Sequence, residues 1–515
     1  MTQSETATLE TTTQTLKLSP FDQLLRLYVH KLFCFPFPEA NRQPEAVERI
    51  EQALTVTIQK WPFITGRVCP AAGSDQQNAV QLCYEAIALE SIVPNILTVI
   101  NLTKADLGWT YDELAEAGMP PSALKMKLLS TVPEWPEPRG VYPALAVQAN
   151  FIPGGLIVCF AFHHAVADGG SFIQFIKAFA EATRAPMSST TAMPDDVAER
   201  IAYIDAPENE VRDLQSFPEY NPYHMLNRPA TKPTDKFLTV KPLIGVITRL
   251  AQKIWPYDPF PASSVPRQVT TRILTFSAAT VQHLERSIND ILKNAQEAPK
   301  WASPIGCLSS LIWVAVIRAR QSRLSPDDKA KIGIAVDART ALELPNYFGN
   351  AVVHTNAIAT VAELLPGPNA NPRTKCGLDL DALARAAQHM RRATEGVTKT
   401  YVNDRLTTFS ALPDPTRIPS IYGRAMDTST TGIDFSSWIA QGADVEFDIP
   451  GIGSPTIEFW RKAWSPNEGA YNILPRKGGS RGTANWEVSI GLSIEDMTKV
   501  CEQLQQVGWL ERVVE

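Results

Sequence analysis

The sequence predicts a mixed α/β protein with a globular composition and long loops, and one observation supports each of these three features. Stretches in which apolar residues recur every three or four positions follow stretches in which apolar and polar residues alternate, along the whole chain. Hydrophobic residues make up 44% and charged residues 20% of the 515 residues, the balance of a globular chain with ample material for a core. The 40 prolines predict many long loops.

The N-terminal part contains elements of both kinds. Residues 1–16 are rich in Thr, Gln, Ser and Glu without periodicity, which predicts a disordered tail. One apolar stripe predicts an amphipathic helix over residues 44–60, which ends before a Trp-Pro pair. Residues 144–148 and 156–162 predict two strands, and a helix follows the second strand with Ser171 as its expected N-cap.

The C-terminal part repeats this alternation. A strand is predicted over residues 269–275, a helix over 305–320 and another strand over 332–336. Between about 186 and 266 the composition shifts to Pro, Asp, Asn and Ser, interrupted by a helical piece over 243–254, which predicts a crossover between two halves. The predicted organisation is a tail over 1–16, an N-terminal half over 17–210, a crossover over 211–265 and a C-terminal half over 266–515.

Composition restricts the partners and the location. The formal charge of −6 does not argue for nucleic acid. The N-terminus lacks a signal-like start and no apolar run approaches the ~18 residues of a membrane span, so a cytoplasmic protein without membrane contact is expected. The seven cysteines are scattered without a C-x-x-C pair and predict reduced thiols, and the histidines show no metal-ligand spacing.

The strongest candidate for chemistry is the stretch from His163 to Gly170, where a buried strand is followed by a helix. His164 at this position can act as a general base that takes a proton from an attacking alcohol or amine. Asp168, followed by Gly169, can fix the backbone of a tight turn or pair with an arginine, and so shape the loop that presents the imidazole. Two adjacent histidines could instead only end the strand.

The pattern His-His-x-x-x-Asp-Gly resembles the signature of CoA-dependent acyltransferases of the BAHD type. Further stretches are similar to this family in its order along nearly the whole chain, and the last resemble its fungal branch, which includes trichothecene 3-O-acetyltransferase-like enzymes. These stretches are Leu18–Gln23, Trp61–Arg67, Leu308–Arg320, Val336–Arg339 with Tyr347–Asn350, Pro475–Gly479, Trp486–Val488, Leu492 and Asp496–Met497.

The family's second signature, D-F-G-W-G, is degraded in this chain. Asp434-Phe435 lacks the glycines, so the register that takes Ser437-Trp438 as the upstream S-W pair places the signature at Asp448 to Gly453. The resemblance implies that Asp448 is structural and pairs with an arginine, for which Arg339 is the candidate. Ser437 and the Trp438 indole are guesses for substrate or CoA binding, or for stabilising the oxyanion.

The resemblance implies two chloramphenicol-acetyltransferase-like domains packed face to face, with a solvent channel between them and His164 midway. It implies direct transfer from acyl-CoA, a co-substrate rather than a bound cofactor, to the hydroxyl of a small secondary metabolite, without a metal. A monomer would suffice. Two alternatives stay open: a carrier-protein donor, and a fold recruited for cyclisation or another base-catalysed reaction.

Overall fold

The computed structural model describes residues 13–85, 93–137, 140–185, 204, 206–207, 210–213, 216–217, 268–365, 378–418, 430–463, 467–477 and 483–515. The helical piece predicted over 243–254 and nearly all of the predicted crossover lie outside these ranges.

The N-terminal half alternates strands and helices. Its strands are β1 (Thr13–Lys17), β2 (Tyr28–Pro36), β3 (Arg67–Pro70), β4 (Val80–Glu85), β5 (Leu97–Asn101), β6 (Tyr142–Pro143), β7 (Leu145–Ile152) and β8 (Gly155–His163). Its helices are α1 (Gln43–Lys60), α2 (Val93–Ile96), α3 (Lys104–Leu107), α4 (Tyr111–Ala117), α5 (Met126–Leu129) and α6 (Gly169–Arg184).

The C-terminal half has the same mixed composition. Its strands are β9 (Val269–Phe276), β10 (Lys329–Asp337), β11 (Val352–Thr360), β12 (Gly432–Ser437), β13 (Phe459–Lys462), β14 (Ala470–Ile473), β15 (Trp486–Ser493) and β16 (Arg512–Val514). Its helices are α7 (Ala278–Lys293), α8 (Pro304–Ala319), α9 (Arg339–Leu342), α10 (Val361–Leu364), α11 (Leu380–Glu395), α12 (Lys399–Ser410) and α13 (Ile494–Gln506).

Each half is built on one large sheet. The five-stranded sheet has the order β13-β2-β8-β7-β5, and α1 and α6 cover one of its faces with a phenylalanine-rich core. The seven-stranded sheet has the order β11-β10-β12-β14-β15-β9-β16 and packs one face against α7, α8, α11 and α13. A smaller sheet, β1-β4-β3-β6, completes the N-terminal half. The mixed α/β class predicted from the sequence is confirmed.

The two halves share a strand. β13 comes from the C-terminal half but pairs antiparallel with β2, so that Lys462 lies opposite Lys31. Arg461 on the same strand donates to the carbonyls of Gly118 and Met119 and to the Glu487 carboxylate of β15. A charged group buried this deeply needs its full set of acceptors. Because Arg461 lies in the five-stranded sheet and Glu487 in the seven-stranded sheet, this ion pair links the two sheets.

The regular elements agree with the prediction, while the tail and two of the cysteines do not. The predicted helices and strands that fall in the described ranges are present with ends shifted by a few residues, as in α1, which ends at Lys60 before the Trp-Pro pair. The tail predicted over 1–16 is too long, because Thr13–Lys17 forms β1 and pairs with β4. Cys69 and Cys83 lie on the paired strands β3 and β4 with Cα atoms 6.7 Å apart and form a disulfide, so the prediction of reduced thiols was wrong for these two.

Candidate active site

The turn between β8 and α6 carries the chemistry-bearing residues. β8 ends at His163, and Asp168 is the N-cap of α6, since its carboxylate accepts a hydrogen bond from the backbone N–H of Ser171 at 2.9 Å. The sequence had favoured Ser171 as the cap. Its hydroxyl lies inside the helix and instead donates to the carbonyl of Gly349 across the interface between the halves.

His164 is partly exposed, whereas its neighbours on both sides are buried. Its Nδ1 lies 3.0 Å from Oδ1 of Asn350 in the C-terminal half. Burial is the largest influence on this imidazole and lowers its pKa below the ordinary value. His164 is therefore neutral at pH 7, the state that a general base requires.

The hydrogen bonds of Asn350 fix the tautomer of His164. The Asn350 Nδ2 group donates to Asp22 Oδ1 at 2.8 Å and to the His164 carbonyl at 2.6 Å, so both of its protons are used. Oδ1 therefore faces the imidazole as an acceptor, and the ring must carry its proton on Nδ1. This leaves the lone pair of Nε2 free to accept a proton from a substrate.

Asp22 supports this arrangement from the N-terminal half. Besides the side-chain bond, its Oδ1 accepts the backbone N–H of Asn350, and its Oδ2 accepts that of Ser19. Burial raises the pKa of Asp22 to about 6, against the lowering effect of these bonds. The hydrogen-bonded series Asp22–Asn350–His164 thus joins two residues of the N-terminal half through one residue of the C-terminal half.

His163 has a different environment. It is 2% exposed, its ring lies edge-on to Tyr28, and its Nδ1 accepts the backbone N–H of Ala165. Burial lowers the pKa of His163 to about 3, so the ring stays neutral. The structure thus places His163 in the packing beneath the turn, and only His164 in contact with Asn350.

Asp168 and Arg339 form a buried ion pair across the interface. Arg339 Nη2 and Nη1 reach the two carboxylate oxygens at 2.8 and 3.0 Å, and Asp168 also accepts the backbone N–H of Ala351. Burial alone would raise the pKa of Asp168, but the Arg339 guanidinium and the backbone donors hold it below its usual range. Arg339 in addition donates to the carbonyls of Tyr347 and Gly349. One side chain therefore binds both the turn between β8 and α6 and the segment that precedes β11.

The two glycines after Asp168 allow close approach. A Cβ atom at Gly170 would lie 2.4 Å from Arg339 Nη1, and one at Gly169 would lie 2.5 Å from Nε2 of Gln441. The first glycine therefore admits the Gln441 amide and the second admits the guanidinium.

Comparisons with known proteins show which proteins this chain resembles. Residues 27–183 match the model of the trichothecene 3-O-acetyltransferase-like N-terminal domain. The O-acyltransferase pigD of Monascus ruber is 26% identical over 76% of this chain and 77% of its own length. The trichothecene 8-O-acetyltransferase of Fusarium sporotrichioides is 25% identical over 97% of this chain and 98% of its own length.

The fold agrees along the whole length as well. The crystal structure of F. graminearum TRI101 with coenzyme A and deoxynivalenol superposes with a TM-score of 0.74 at 19% identity, covering 98% of this chain and all of that one. Vinorine synthase gives a TM-score of 0.55 at 13% identity over 97% of this chain and 98% of its own. The chain is therefore similar to fungal O-acyltransferases, and it shares the fold of TRI101 and vinorine synthase.

The stretch that resembles the second BAHD signature does not make the contacts that the sequence predicted. Asp448 is exposed, and its backbone N–H bonds to Thr183 Oγ1. Gly453 lies beside Pro36, far along the chain from Arg339, and its N–H donates to the Pro36 carbonyl. The predicted partnership of Asp448 with Arg339 was therefore wrong: the carboxylates at Arg339 are Asp168 and Asp337.

The two residues suggested as oxyanion donors, Ser437 and Trp438, differ in their hydrogen bonds. The Trp438 indole N–H donates to Ser436 Oγ at 3.1 Å and is not free for a substrate. Ser437 Oγ is buried without a hydrogen-bond partner in the part of the chain that the structure describes, as is Oε1 of Gln441. Gln441 was not singled out in the sequence, although its amide lies against Gly169.

Sequence reasoning also missed the roles of Asp22 and Asn350. Both lie in stretches that resemble the BAHD family, and a polar residue in each stretch was the available signal. Within the described ranges, no group of three or more potential metal ligands occurs. None of the helices in those ranges is both long and apolar enough to cross a bilayer.

Proposed function

We propose that the protein transfers an acyl group from acyl-CoA to a hydroxyl of a small molecule, with His164 as the general base. The observation that carries this proposal is the bond between His164 Nδ1 and Asn350 Oδ1, which leaves Nε2 unprotonated at an interface between two halves. The acyltransferase names of the relatives and the coenzyme A in the similar crystal structures support the choice of donor.

The reaction follows from this geometry. Nε2 takes the proton of the acceptor hydroxyl as the oxygen attacks the thioester carbonyl, and the protonated ring then returns a proton to the leaving thiolate. Both substrates bind beside the same imidazole. The enzyme therefore holds the reacting groups in position, and the bimolecular reaction becomes effectively unimolecular. The buried Asp168–Arg339 pair maintains the turn that presents the ring, without contacting the substrates.

The acceptor class is proposed from the relatives. Trichothecenes are hydroxylated small molecules, and two relatives are named for acetylating them. A hydroxylated secondary metabolite is therefore the class to test first, with deoxynivalenol, present in the F. graminearum TRI101 structure, among the candidates.

The test combines donor binding with turnover. Titration calorimetry with acetyl-CoA should give micromolar binding to both the parent and His164→Ala. Release of the CoA thiol in the presence of hydroxylated acceptors should fall about 10²- to 10⁴-fold in the variant, because general-base catalysis contributes that much. His283→Ala is the matched control, since His283 is exposed on α7. A near-full rate in His164→Ala would refute the base assignment, and binding of no CoA thioester would refute the donor.

A further inference from the structure

The β3–β4 hairpin of the small sheet is closed by the Cys69–Cys83 disulfide. Cys69 lies opposite Gln81 and Cys83 lies opposite Arg67, so the bond runs diagonally across the residue pairs that join the two strands. Both cysteines are half-buried, on the outer face of the sheet, whereas Leu82 on the other face packs into the core. The disulfide therefore lies where a thiol in solution can reach it.

The strand β3 has little other support in the sheet. It pairs with β4 over four residues and, within the described part of the chain, with β6 only at Arg67 and Val68. Pro70, at the end of β3, has no N–H to donate to the ladder. Since segments held by few bonds open locally at low free energy, the cross-link contributes a large share of what keeps the hairpin closed.

The tip of this hairpin binds the end of α12 in the C-terminal half. Gln76 Nε2 donates to the carbonyl of Ser410 at 3.1 Å and to that of Leu412 at 2.8 Å. The backbone N–H of Gln77 donates to the carbonyl of Pro413 at 2.7 Å. A side-chain amide at the end of a helix satisfies carbonyls that the helix itself leaves without a partner. The hairpin therefore joins the two halves.

The start of β4 is bound to the residue next to Asp22. The buried Gln23 side chain donates from Nε2 to the Val80 carbonyl at 2.7 Å, and its Oε1 accepts the Val80 N–H at 3.0 Å. These two bonds fix the loop that carries Asp22 against the hairpin. Because Asp22 holds Asn350 and Asn350 holds His164, the hairpin is connected to the imidazole.

The packing beneath the hairpin leaves room for β4 to shift. A cavity of about 20 Å³ is lined by Leu82 of β4 together with Asp22, Val166 and Gly349. Well-packed protein interiors have few such voids, so β4 is not packed tightly against the turn that follows β8. A movement of the hairpin can therefore begin next to the residues that support the base.

We propose that the β3–β4 hairpin is a redox-controlled latch: the Cys69–Cys83 disulfide keeps its tip on α12, and reduction releases the tip and slows acyl transfer. In the reduction a dithiol supplies two electrons and two protons, the S–S bond breaks into two thiols, and the dithiol itself becomes a disulfide. Once the tip is released, the support that Asp22 gives to Asn350 weakens, and the imidazole loses its fixed orientation. This regulation rests on the function proposed above.

Hydrogen exchange followed by mass spectrometry tests the latch without any substrate. Dithiothreitol should make the amides of residues 71–84 exchange about 10- to 100-fold faster, because loss of the cross-link raises the population of the open hairpin. The Cys69→Ser, Cys83→Ser double variant should exchange at the fast rate with or without dithiothreitol. Cys501→Ala, at a buried free cysteine outside the hairpin, is the matched control and should respond as the parent does.

Turnover tests the connection to the base. Acetylated product, measured by mass spectrometry, should form with a kcat about two- to thirtyfold lower in the double variant, while the affinity for acetyl-CoA stays unchanged. In an Asn350→Ala background the cysteine replacements should cause no further fall, because the latch acts through Asn350. Gln76→Ala should lower kcat with its disulfide intact, whereas Asp75→Ala, at the exposed neighbouring position, should not.

Faster exchange on reduction, together with a fall in kcat that the Asn350→Ala background abolishes, supports the latch. Unchanged exchange or unchanged kcat after alkylation has shown both thiols to be free overturns it, as does an equal fall in kcat in the Asn350→Ala background. Free Cys69 and Cys83 thiols in protein purified without reductant would overturn it as well. Absence of acetyl transfer in every protein would refute the proposed function, whereas the exchange experiment would still decide whether reduction opens the hairpin.

Discussion

Removing the Asp168 carboxylate should destabilise the protein far more than removing that of Asp448. Asp168→Ala breaks two hydrogen bonds from Arg339 and two from backbone N–H groups, at Ser171 and Ala351. The guanidinium, 5% exposed, stays behind with only the half-exposed Asp337 as a carboxylate partner.

The cost follows from that geometry. Breaking a buried pair by removing one partner costs about 3–5 kcal/mol, because the other charge remains desolvated. For a cooperative unit the size of one half, this corresponds to a fall in the melting temperature on the order of 10 °C. Arg339→Met should lower the free energy of unfolding by a similar amount. The loss in the double variant should be smaller than the sum of the two single losses by at least about 1 kcal/mol, because the pair is lost only once.

Differential scanning fluorimetry of the parent, the two single variants and the double variant measures this coupling. Asp448→Ala is the matched control: its exposed carboxylate should contribute within about 0.5 kcal/mol. Strict additivity of Asp168→Ala and Arg339→Met, or a loss in Asp448→Ala equal to that in Asp168→Ala, would refute the reasoning.

Two further predictions concern His164. Asn350→Ala should leave acetyl-CoA binding unchanged but lower kcat about 10- to 100-fold, because the acceptor that keeps the proton on Nδ1 of His164 is lost. Asn356→Ala, whose buried amide has no hydrogen-bond partner among the described residues, should keep its rate. An unchanged kcat in Asn350→Ala would contradict the tautomer assignment. Since burial lowers the pKa of His164, the acid limb of the profile of kcat/KM against pH should lie below pH 6.5, with activity retained as the pH rises above it; a limb above pH 6.5 would contradict the description of the site.

Local pattern was sufficient to predict the regular elements of the described ranges and the turn that carries His164. The strand before His164 and the helix after it are defined by neighbouring residues, and so is the tight turn between them. The N-cap was assigned to Ser171 instead of Asp168, although the capping bond between them also spans only three residues.

Contacts between distant segments were not predictable in this way. Asn350 and Asp22 meet because two halves pack together, and no spacing rule relates their positions. The choice of Asp448 as the partner of Arg339 failed for the same reason: a family register assigns residue types, while the fold decides which carboxylate lies near a guanidinium. The Cys69–Cys83 bond likewise depends on the pairing of β3 with β4.

The strand shared between the halves has a consequence for biosynthesis. β2 emerges from the ribosome almost at the start of synthesis, but its partner β13 is made only near the end. During this interval β2 is an unpaired edge strand of the N-terminal sheet, and unpaired edge strands favour aggregation. The N-terminal half should therefore need protection until synthesis is nearly complete, and expression of that half alone should yield an insoluble product.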